Sequence, residues 1–222
     1  MPWTTLETHL SSPRMGRYLK YCGGDKARAV DAYTHNMLIS EAFIPVLHVL
    51  EVALRNGIHQ RMSSHYGRDD WYEAWVGDSN FNEQLGYVQE AKRKLAQRRE
   101  AVSTDKVVAE LNFGFWVSLF NRKIIHDTSK PLMLSFPRCP KAQRRPEPIR
   151  SKLNKIRNLR NRCFHHEPMV WMPLHALHTD AHEVIKWISP DLQLWLSSHD
   201  RLPMTFHAWR AWTTPAATQA PT

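Results

Sequence analysis

Cysteine is scarce in this chain. Three cysteines, Cys22, Cys139 and Cys163, occur among 222 residues. An odd number without the paired spacing of metal sites argues against both a disulfide framework and a cysteine-bound metal. We therefore expect a reduced, cytoplasmic setting.

Long apolar runs and a targeting signal are also missing. No uninterrupted run of about 18 apolar residues occurs, so we expect no membrane span and no membrane partner. The start, Met1-Pro2-Trp3, lacks the charged and then apolar pattern of a secretory signal. Neither membrane insertion nor secretion is expected.

Strand patterns, sequence repeats and Gly-rich phosphate loops are absent as well. Hydrophobic residues make up 42% of the 222 positions, which is enough for one well-buried core. We predict an all-α fold with a single helical domain over residues 1–212. The tail over residues 213–222 is predicted to be disordered.

Local signals place the helices. Asp25 is the predicted N-cap of a helix that breaks or kinks at Pro45 and resumes over residues 46–59. Aromatic residues after Asn112 predict a tight turn that fills the core, and prolines predict a long loop over residues 127–148. Further helices are predicted before Gly23-Gly24, over residues 82–101, over 105–111 with Thr104 as cap, and over 174–188 and 190–197.

Positive charge is in excess, and the excess is local. The formal net charge is +9. Residues 138–162 hold ten basic residues against one acid, Glu147, while the remaining 20 Lys and Arg balance 20 Asp and Glu. The ten are Arg138, Lys141, Arg144, Arg145, Arg150, Lys152, Lys155, Arg157, Arg160 and Arg162. Such concentration is typical of a surface that binds a phosphate backbone; the alternative is a solubilising face.

The segment Ser151–Pro168 predicts one basic helix. The proline should end it, which places His165 and His166 in the last turn, where partial negative charge favours a protonated imidazole. At about 100° per residue, a polar face separates from an apolar stripe. The polar face contains Asn154, Asn158, Asn161 and His165; the stripe contains Leu153, Ile156, Cys163 and Phe164.

Arg160 falls on the apolar stripe, where a guanidinium is costly unless it is paired. Three partners are open: a carboxylate such as Glu51 or Glu110, a facing subunit, or a bound anion. Glu51 also stands four residues before Arg55, the spacing of an intrahelical ion pair.

Other histidines are interpreted as structural. A second Arg-Asn…His order, over residues 55–59, is one residue too short. His175, His178 and His182 share a helical face at metal-like spacing. Because no cysteine or acid partner stands nearby in the sequence, we predict no metal site and no cofactor.

Arg160-Asn161-Arg162-Cys163-Phe164-His165 is an Arg-x4-His arrangement with Asn directly after the Arg. It resembles the signature of the HEPN superfamily of helical nucleases. With the upstream blocks Leu50-Glu-Val-Ala-Leu-Arg-Asn56 and Glu110-Leu-Asn-Phe-Gly-Phe-Trp116, the chain resembles the Abi-like (abortive infection, AbiD/AbiF) family over roughly residues 15–200.

The resemblance implies an HEPN-like helical bundle with additional N-terminal and C-terminal helices. It implies a metal-independent endoribonuclease with a toxin or phage-defence role, whose site is assembled from the Arg-x4-His helices of two subunits. Arg160 and His165 would be catalytic, and Asn161 would support them. We expect an RNA substrate, a C2 homodimer through residues 151–167, and an antitoxin that is a small RNA or a protein.

The chemistry of these residue types agrees. Cleaving RNA without a metal needs a base for the 2′-OH proton, an acid for the leaving 5′-oxygen and positive charge on the phosphorane. The predicted RNA-binding residues are Arg150, Lys152, Lys155, Arg157 and Arg162. The predicted supporting or structural residues are Glu51, Arg55, Glu110, His166 and Glu167. The competing interpretation is a non-catalytic RNA-binding or protein-interaction module of the same fold, in which His165 only caps the helix.

Overall fold

The computed structural model describes residues 2–213, which are helical and contain no β-strand. The predicted all-α class is therefore confirmed. Within these residues the α-helices are α1 (Trp3–Leu10), α2 (Ser12–Tyr21), α3 (Lys26–Tyr66), α4 (Asn82–Gln97), α5 (Thr104–Glu110), α6 (Phe113–Ser118), α7 (Ile125–Leu134), α8 (Pro146–Phe164), α9 (Leu174–Ile188), α10 (Pro190–Ser197) and α11 (Leu202–Thr213). Two 3₁₀ turns, Trp71–Trp75 and Ser79–Phe81, lead into α4.

The central element is α3, a single helix of 41 residues. Asp25 caps it as predicted, and its side chain accepts the Arg28 backbone N–H at 3.0 Å. Of the predicted break or kink at Pro45, the break is wrong, because the helix continues through the proline. A proline deprives the carbonyl four residues earlier of its helical partner. That residue, Glu41, is exposed, so water can take the bond.

By length and composition, α3 could also cross a membrane, since one window in it has a mean hydropathy of 1.8. Its apolar side chains between Ile39 and Met62 form part of the main core. Helices α2, α7, α9 and α11 pack against it, and a helix buried inside a bundle has this apolar character. The cytoplasmic localisation and the lack of a membrane partner stay predictions.

The residues after Asn112 form the short helix α6 rather than the predicted tight turn, but their aromatic side chains fill the core as predicted. Asn112 caps α6 by accepting the Phe115 N–H at 3.1 Å. Phe115 and Trp116 are fully buried, with ring centroids 4.8 Å apart in an edge-to-face contact. A Cβ at Gly114 would lie 2.9 Å from the Asn112 Oδ1, so the glycine makes room for the cap.

The long loop predicted over residues 127–148 is wrong. Helix α7 occupies its first part and runs through Pro131. Helix α8 begins at Pro146, because prolines in a first turn, here also Pro148, remove N–H groups that need no helical partner. Only residues 135–145 connect the two helices.

Smaller predictions differ at the helix ends. Ser103, rather than Thr104, caps α5, and two helices rather than one precede Gly23. Helices α9 and α10 cover their predicted ranges, whereas α11 was not anticipated by any local signal. The segment predicted to be disordered lies outside the described residues, apart from Thr213 at the end of α11.

Candidate active site

The inner face of α8 packs inside the chain itself. Leu153, Ile156 and Leu159 have no exposed surface, and Cys163 is 2% exposed. This face meets α3, α6, α7 and α9, and burial raises the pKa of the Cys163 thiol to about 11. Phe164, which the sequence assigned to the same stripe, is 46% exposed. The stripe therefore belongs to the chain's own core, and a second subunit cannot cover it.

The C-terminal end of α8 turns sharply at the two histidines. The helix ends at the residue before His165, so the prediction that both histidines lie in its last turn is wrong. The His165 N–H donates to the Asn161 carbonyl at 2.9 Å. His166 adopts a left-handed φ of +55°, and the Glu167 N–H returns to the Arg162 carbonyl at 2.8 Å. These features are a Schellman C-cap, in which His166 occupies the usual glycine position.

Asn161 and His165 expose their side chains on the outer face of α8. Asn158 is exposed and Asn154 half-buried on the same face, so the predicted polar face does meet solvent. An imidazole at this position can reach a substrate without rearrangement of the fold.

Helix α3 holds this helix end in place. Asn36, only 5% exposed, accepts the Met169 N–H at 2.6 Å and donates to the Glu167 carbonyl at 3.4 Å. Ser40 donates to the Cys163 carbonyl, also at 3.4 Å. Side-chain bonds to orphan carbonyls fix a helix terminus. Sequence reasoning missed both residues, because nothing local distinguishes a buried Asn on a helix.

Arg14 of α2 supports the same turn from the other side. Its Nη1 donates to the His166 carbonyl across a separation of 152 residues. A cavity of about 270 Å³ adjoins this contact, and it is lined by Ser11, Pro13, Arg14, Arg17, Glu167 and Pro168. Two guanidinium groups beside the helix end favour an anionic ligand there.

Arg160 forms an ion pair with Glu51 of α3. A carboxylate was the first of the three kinds of partner that the sequence suggested for this arginine. The Arg160 Nε lies 3.6 Å from the Glu51 Oε2, and the Arg160 side chain is 25% exposed. Its guanidinium carbon lies 4.2 Å from the centroid of the Phe164 ring, a cation–π contact. The Nε is buried and has no hydrogen-bond partner within residues 2–213. A buried donor without a partner costs about 1–3 kcal/mol, and the remaining exposed part of the Arg160 side chain is where an anion could contact it.

Two supporting residues are used differently from the prediction. Glu110 pairs with Arg98 at 2.6 Å rather than with Arg160. Arg55 donates to the Asn56 side chain at 3.3 Å instead of pairing with Glu51 four residues earlier. Glu110 finds its partner on a different helix, and Arg55 finds its partner in the adjacent residue, so the four-residue helical spacing predicted neither.

The predicted RNA-binding cations divide into two groups. Ion pairs occupy three of them: Arg150 with Glu147, Lys152 with Asp180 and Glu183, and Arg162 with Glu167. Lys155 is exposed, Arg157 is half-buried, and neither makes an ion pair within the described residues. The same holds for Arg138, Lys141, Arg144 and Arg145 in the preceding loop. Arg157 and Lys155 thus lie about 12 and 15 Å along the helix from His165, at about 1.5 Å per residue, and the loop cations lie before the far end of α8.

Three other histidines, His59 on α3 and His178 and His182 on α9, contact hydrogen-bonding side chains. His59 accepts the Trp71 indole N–H at 3.0 Å, and burial lowers the pKa of His59, so the second Arg-Asn…His order is structural as predicted. On α9, His178 and His182 meet Asp200 at 2.5 and 3.0 Å. The argument that no acid partner exists for the α9 histidines is therefore wrong.

The fold and site define an all-α protein with a basic helix that ends in an exposed Asn–His pair beside a tethered arginine. No protein-family model, curated protein or solved structure gives a significant match to the chain.

Proposed function

We propose that the chain is a metal-independent endoribonuclease of the HEPN type, built as an HEPN-like bundle with additional terminal helices and similar to the Abi-like family. One observation carries the proposal: Asn161 and His165 are exposed together at a braced helix end, while Arg160 is anchored with a buried donor unsatisfied. Proton transfer and phosphate stabilisation are the two functions that metal-free RNA cleavage requires.

In this mechanism the 2′-oxygen attacks phosphorus and the 5′-oxygen leaves. His165 transfers the protons, Arg160 stabilises the charge of the phosphorane, and Asn161 orients the imidazole or the phosphate. One imidazole cannot remove the 2′ proton and donate to the 5′-oxygen in the same step. A second His165, from a facing subunit, supplies the other proton transfer.

The proposed C2 homodimer uses the outer face of α8, because the inner face is core. That face carries Asn158, Asn161 and His165, with exposed Phe164 at its edge. Two His165 imidazoles can serve one phosphate only if the two α8 helices approach each other at their His165 ends, near the two-fold axis. The basic starts of the two helices then extend away from the composite site on opposite sides, where cations such as Lys155 can bind the RNA that leads into and out of it.

The test is cleavage of end-labelled RNA with and without EDTA. We expect wild-type products ending in 2′,3′-cyclic phosphate and a rate that the chelator leaves unchanged. His165→Ala should lower the rate at least 100-fold with RNA binding retained. His166→Asn is the matched control. The substitution removes the imidazole next to His165, and asparagine tolerates the left-handed backbone conformation of residue 166.

Equal cleavage by wild type and His165→Ala would overturn the assignment. RNA binding without cleavage by wild type would favour the non-catalytic RNA-binding module instead. Sedimentation tests the dimer: a chain that is monomeric at micromolar concentration and still cleaves RNA does not use a composite site.

A toxin or phage-defence role belongs to the same proposal. Toxicity on expression that Arg160→Ala and His165→Ala both abolish would support it. An antitoxin, whether small RNA or protein, would then be found by its co-purification with the His165→Ala variant, which host cells should tolerate.

A further inference from the structure

A cluster of two histidines and one aspartate lies on α9 and the turn before α11, and the proposed nuclease site uses none of it. His178 and His182 stand four residues apart, so both imidazoles project from one face of α9. Their Nε2 atoms lie 2.5 and 3.0 Å from the same oxygen, Oδ2 of Asp200. The candidate ligand atoms of these three residues all lie within 4.8 Å of one another.

Asp200 is fixed and almost fully buried. Its side chain is 3% exposed, and its second oxygen, Oδ1, accepts the Leu202 N–H at 2.9 Å. Burial alone would raise the pKa of Asp200, but the hydrogen bonds from His178, His182 and Leu202 outweigh burial and hold the pKa well below its usual range. The carboxylate is therefore charged and aimed at the two imidazoles.

The spacing suits a metal ion with little rearrangement. Zinc binds His nitrogen at about 2.0–2.1 Å and carboxylate oxygen at about 2.0–2.2 Å in tetrahedral geometry, which separates ligand atoms by roughly 3.3 Å. The imidazoles must therefore move away from Asp200 by only a fraction of an ångström to about 1 Å. Both histidines retain part of their exposure, with side chains 19% and 14% exposed, so an ion can reach them.

Gln193 of α10 supplies a supporting contact of the kind that metal-bound histidines need. Its amide nitrogen lies 3.4 Å from the His182 Nδ1. When Nε2 binds a metal, Nδ1 carries the proton and requires an acceptor. Rotation of the Gln193 amide by 180° places its oxygen there, and the two orientations differ only in the assignment of oxygen and nitrogen.

The cluster opens onto a groove between α9, α10 and the start of α11. The groove is lined by His178, Thr179, His182, Glu183, Lys186, Gln193, Ser197, Asp200 and Pro203. Three protein ligands leave a fourth tetrahedral position that faces this groove. Zinc sites with three protein ligands and an open position take water or a substrate atom there.

We propose that His178, His182 and Asp200 form a binding site for one zinc-type divalent metal ion, with Gln193 orienting His182 and the fourth position open to the groove. The ion joins α9 to the turn that begins α11, and so it stabilises the C-terminal part of the bundle. None of these residues belongs to the proposed nuclease site of Arg160, Asn161 and His165. The metal site can therefore be tested independently of the nuclease activity.

The experiment is titration of the metal-stripped full chain with Zn²⁺ by calorimetry, with Co²⁺ absorption as a second readout. We expect one Zn²⁺ ion per chain and a higher unfolding temperature in the presence of zinc. With Co²⁺ we expect the visible absorption that a four-coordinate site gives. His178→Ala, His182→Ala and Asp200→Asn should each weaken binding at least 100-fold, and Gln193→Ala about 10-fold. His175→Gln, on the same helix but not in contact with Asp200, should bind as wild type does.

Wild-type protein that binds no zinc at 100-fold molar excess would overturn the site, and the three residues would then be a hydrogen-bonded tie only. Binding that survives Asp200→Asn and His182→Ala would overturn it as well. Should a ligand variant fail to fold, as circular dichroism would show, the wild-type stoichiometry and the Gln193→Ala titration decide the question. The stripped wild-type protein should still cleave RNA, so loss of zinc binding and loss of nuclease activity remain separate results.

Discussion

The two histidine-bearing helix regions, the end of α8 and the face of α9, use the same side chain in opposite ways. His165 is exposed and has no carboxylate partner within residues 2–213. His178 and His182 converge on a buried carboxylate that also binds a backbone N–H. Two imidazoles that converge on one carboxylate are suited to bind a cation, whereas an exposed imidazole on a braced helix end is accessible for proton exchange with a substrate. The two histidine regions differ because of the buried Asp200 carboxylate, and not because of the spacing of their histidines.

The largest effect should come from removing Arg160, which would show that the α8 site depends on charge as well as on an imidazole. Arg160→Ala should lower RNA cleavage about 100-fold or more, because the phosphorane loses its positive partner. Arg160→Lys should recover the rate only in part, since an ammonium lacks the planar contact with Phe164. Initial rates on labelled RNA measure this, and Arg93→Ala, at an exposed arginine on α4 that pairs with Glu90, is the control. Wild-type cleavage by Arg160→Ala would remove arginine from the mechanism.

The rigidity of the α8 end can be tested at Asn36. Asn36→Ala leaves the buried Met169 N–H without its partner, and we expect a loss of about 2–3 kcal/mol in the free energy of unfolding. Urea denaturation measures it. Thr34→Ala, exposed on the same helix, should change stability by less than about 0.5 kcal/mol. Equal effects of the two substitutions would mean that the helix end is not braced by α3.

The stability that the α9 cluster contributes should depend on pH. In metal-free protein, Asp200→Asn should cost about 2 kcal/mol of stability at pH 7. The folded-state pKa of Asp200 is lowered, so its stabilisation is complete above the ordinary carboxyl range, about 3.9, and is lost as pH falls through the folded value. The difference between wild type and variant should therefore narrow as pH falls below about 4. Asp191→Asn, at an exposed site, should show no such dependence.

The smallest effect distinguishes the two kinds of cation on α8. Lys155→Ala should weaken RNA binding a few-fold and lower the salt-dependence slope by about one, because an exposed lysine releases a counterion on binding. Lys152→Ala should leave RNA affinity unchanged and reduce stability instead, since Lys152 pairs with Asp180 and Glu183. Filter binding at several salt concentrations measures both. Identical behaviour of the two variants would contradict this assignment.

Periodicity and capping signals predicted much of this architecture from sequence. The α8 polar face, the Asp25 cap and the ranges of α9 and α10 follow from local chemistry that a single sequence carries. The wrong predictions have physical causes. The helix continues through Pro45 because the carbonyl that loses its helical partner, that of Glu41, is exposed to water. Pro146 and Pro148 lie in the first turn of α8, where prolines favour a helix start rather than a loop.

What the sequence could not show depends on distant partners. The brace from Asn36 and the meeting of Asp200 with the α9 histidines arise from tertiary packing, for which no local pattern exists. Glu51 was identified as a partner of Arg160 only because a buried guanidinium demands an acid and few acids stand in apolar segments. The energetic cost of a buried, unpaired charge can thus predict an ion-pair partner that residue spacing cannot.

The contacts that hold the end of α8 also set when it can form. Asn36, Ser40 and Arg14 bind the segment 163–169 across separations of 123 to 152 residues. During synthesis, a ribosome must therefore add residues 163–169 before any of these bonds can close. The early helices form first, and the braced Asn161–His165 pair is acquired only when this later segment meets them. In the proposed nuclease, the site would therefore stay unassembled until that segment has left the ribosome.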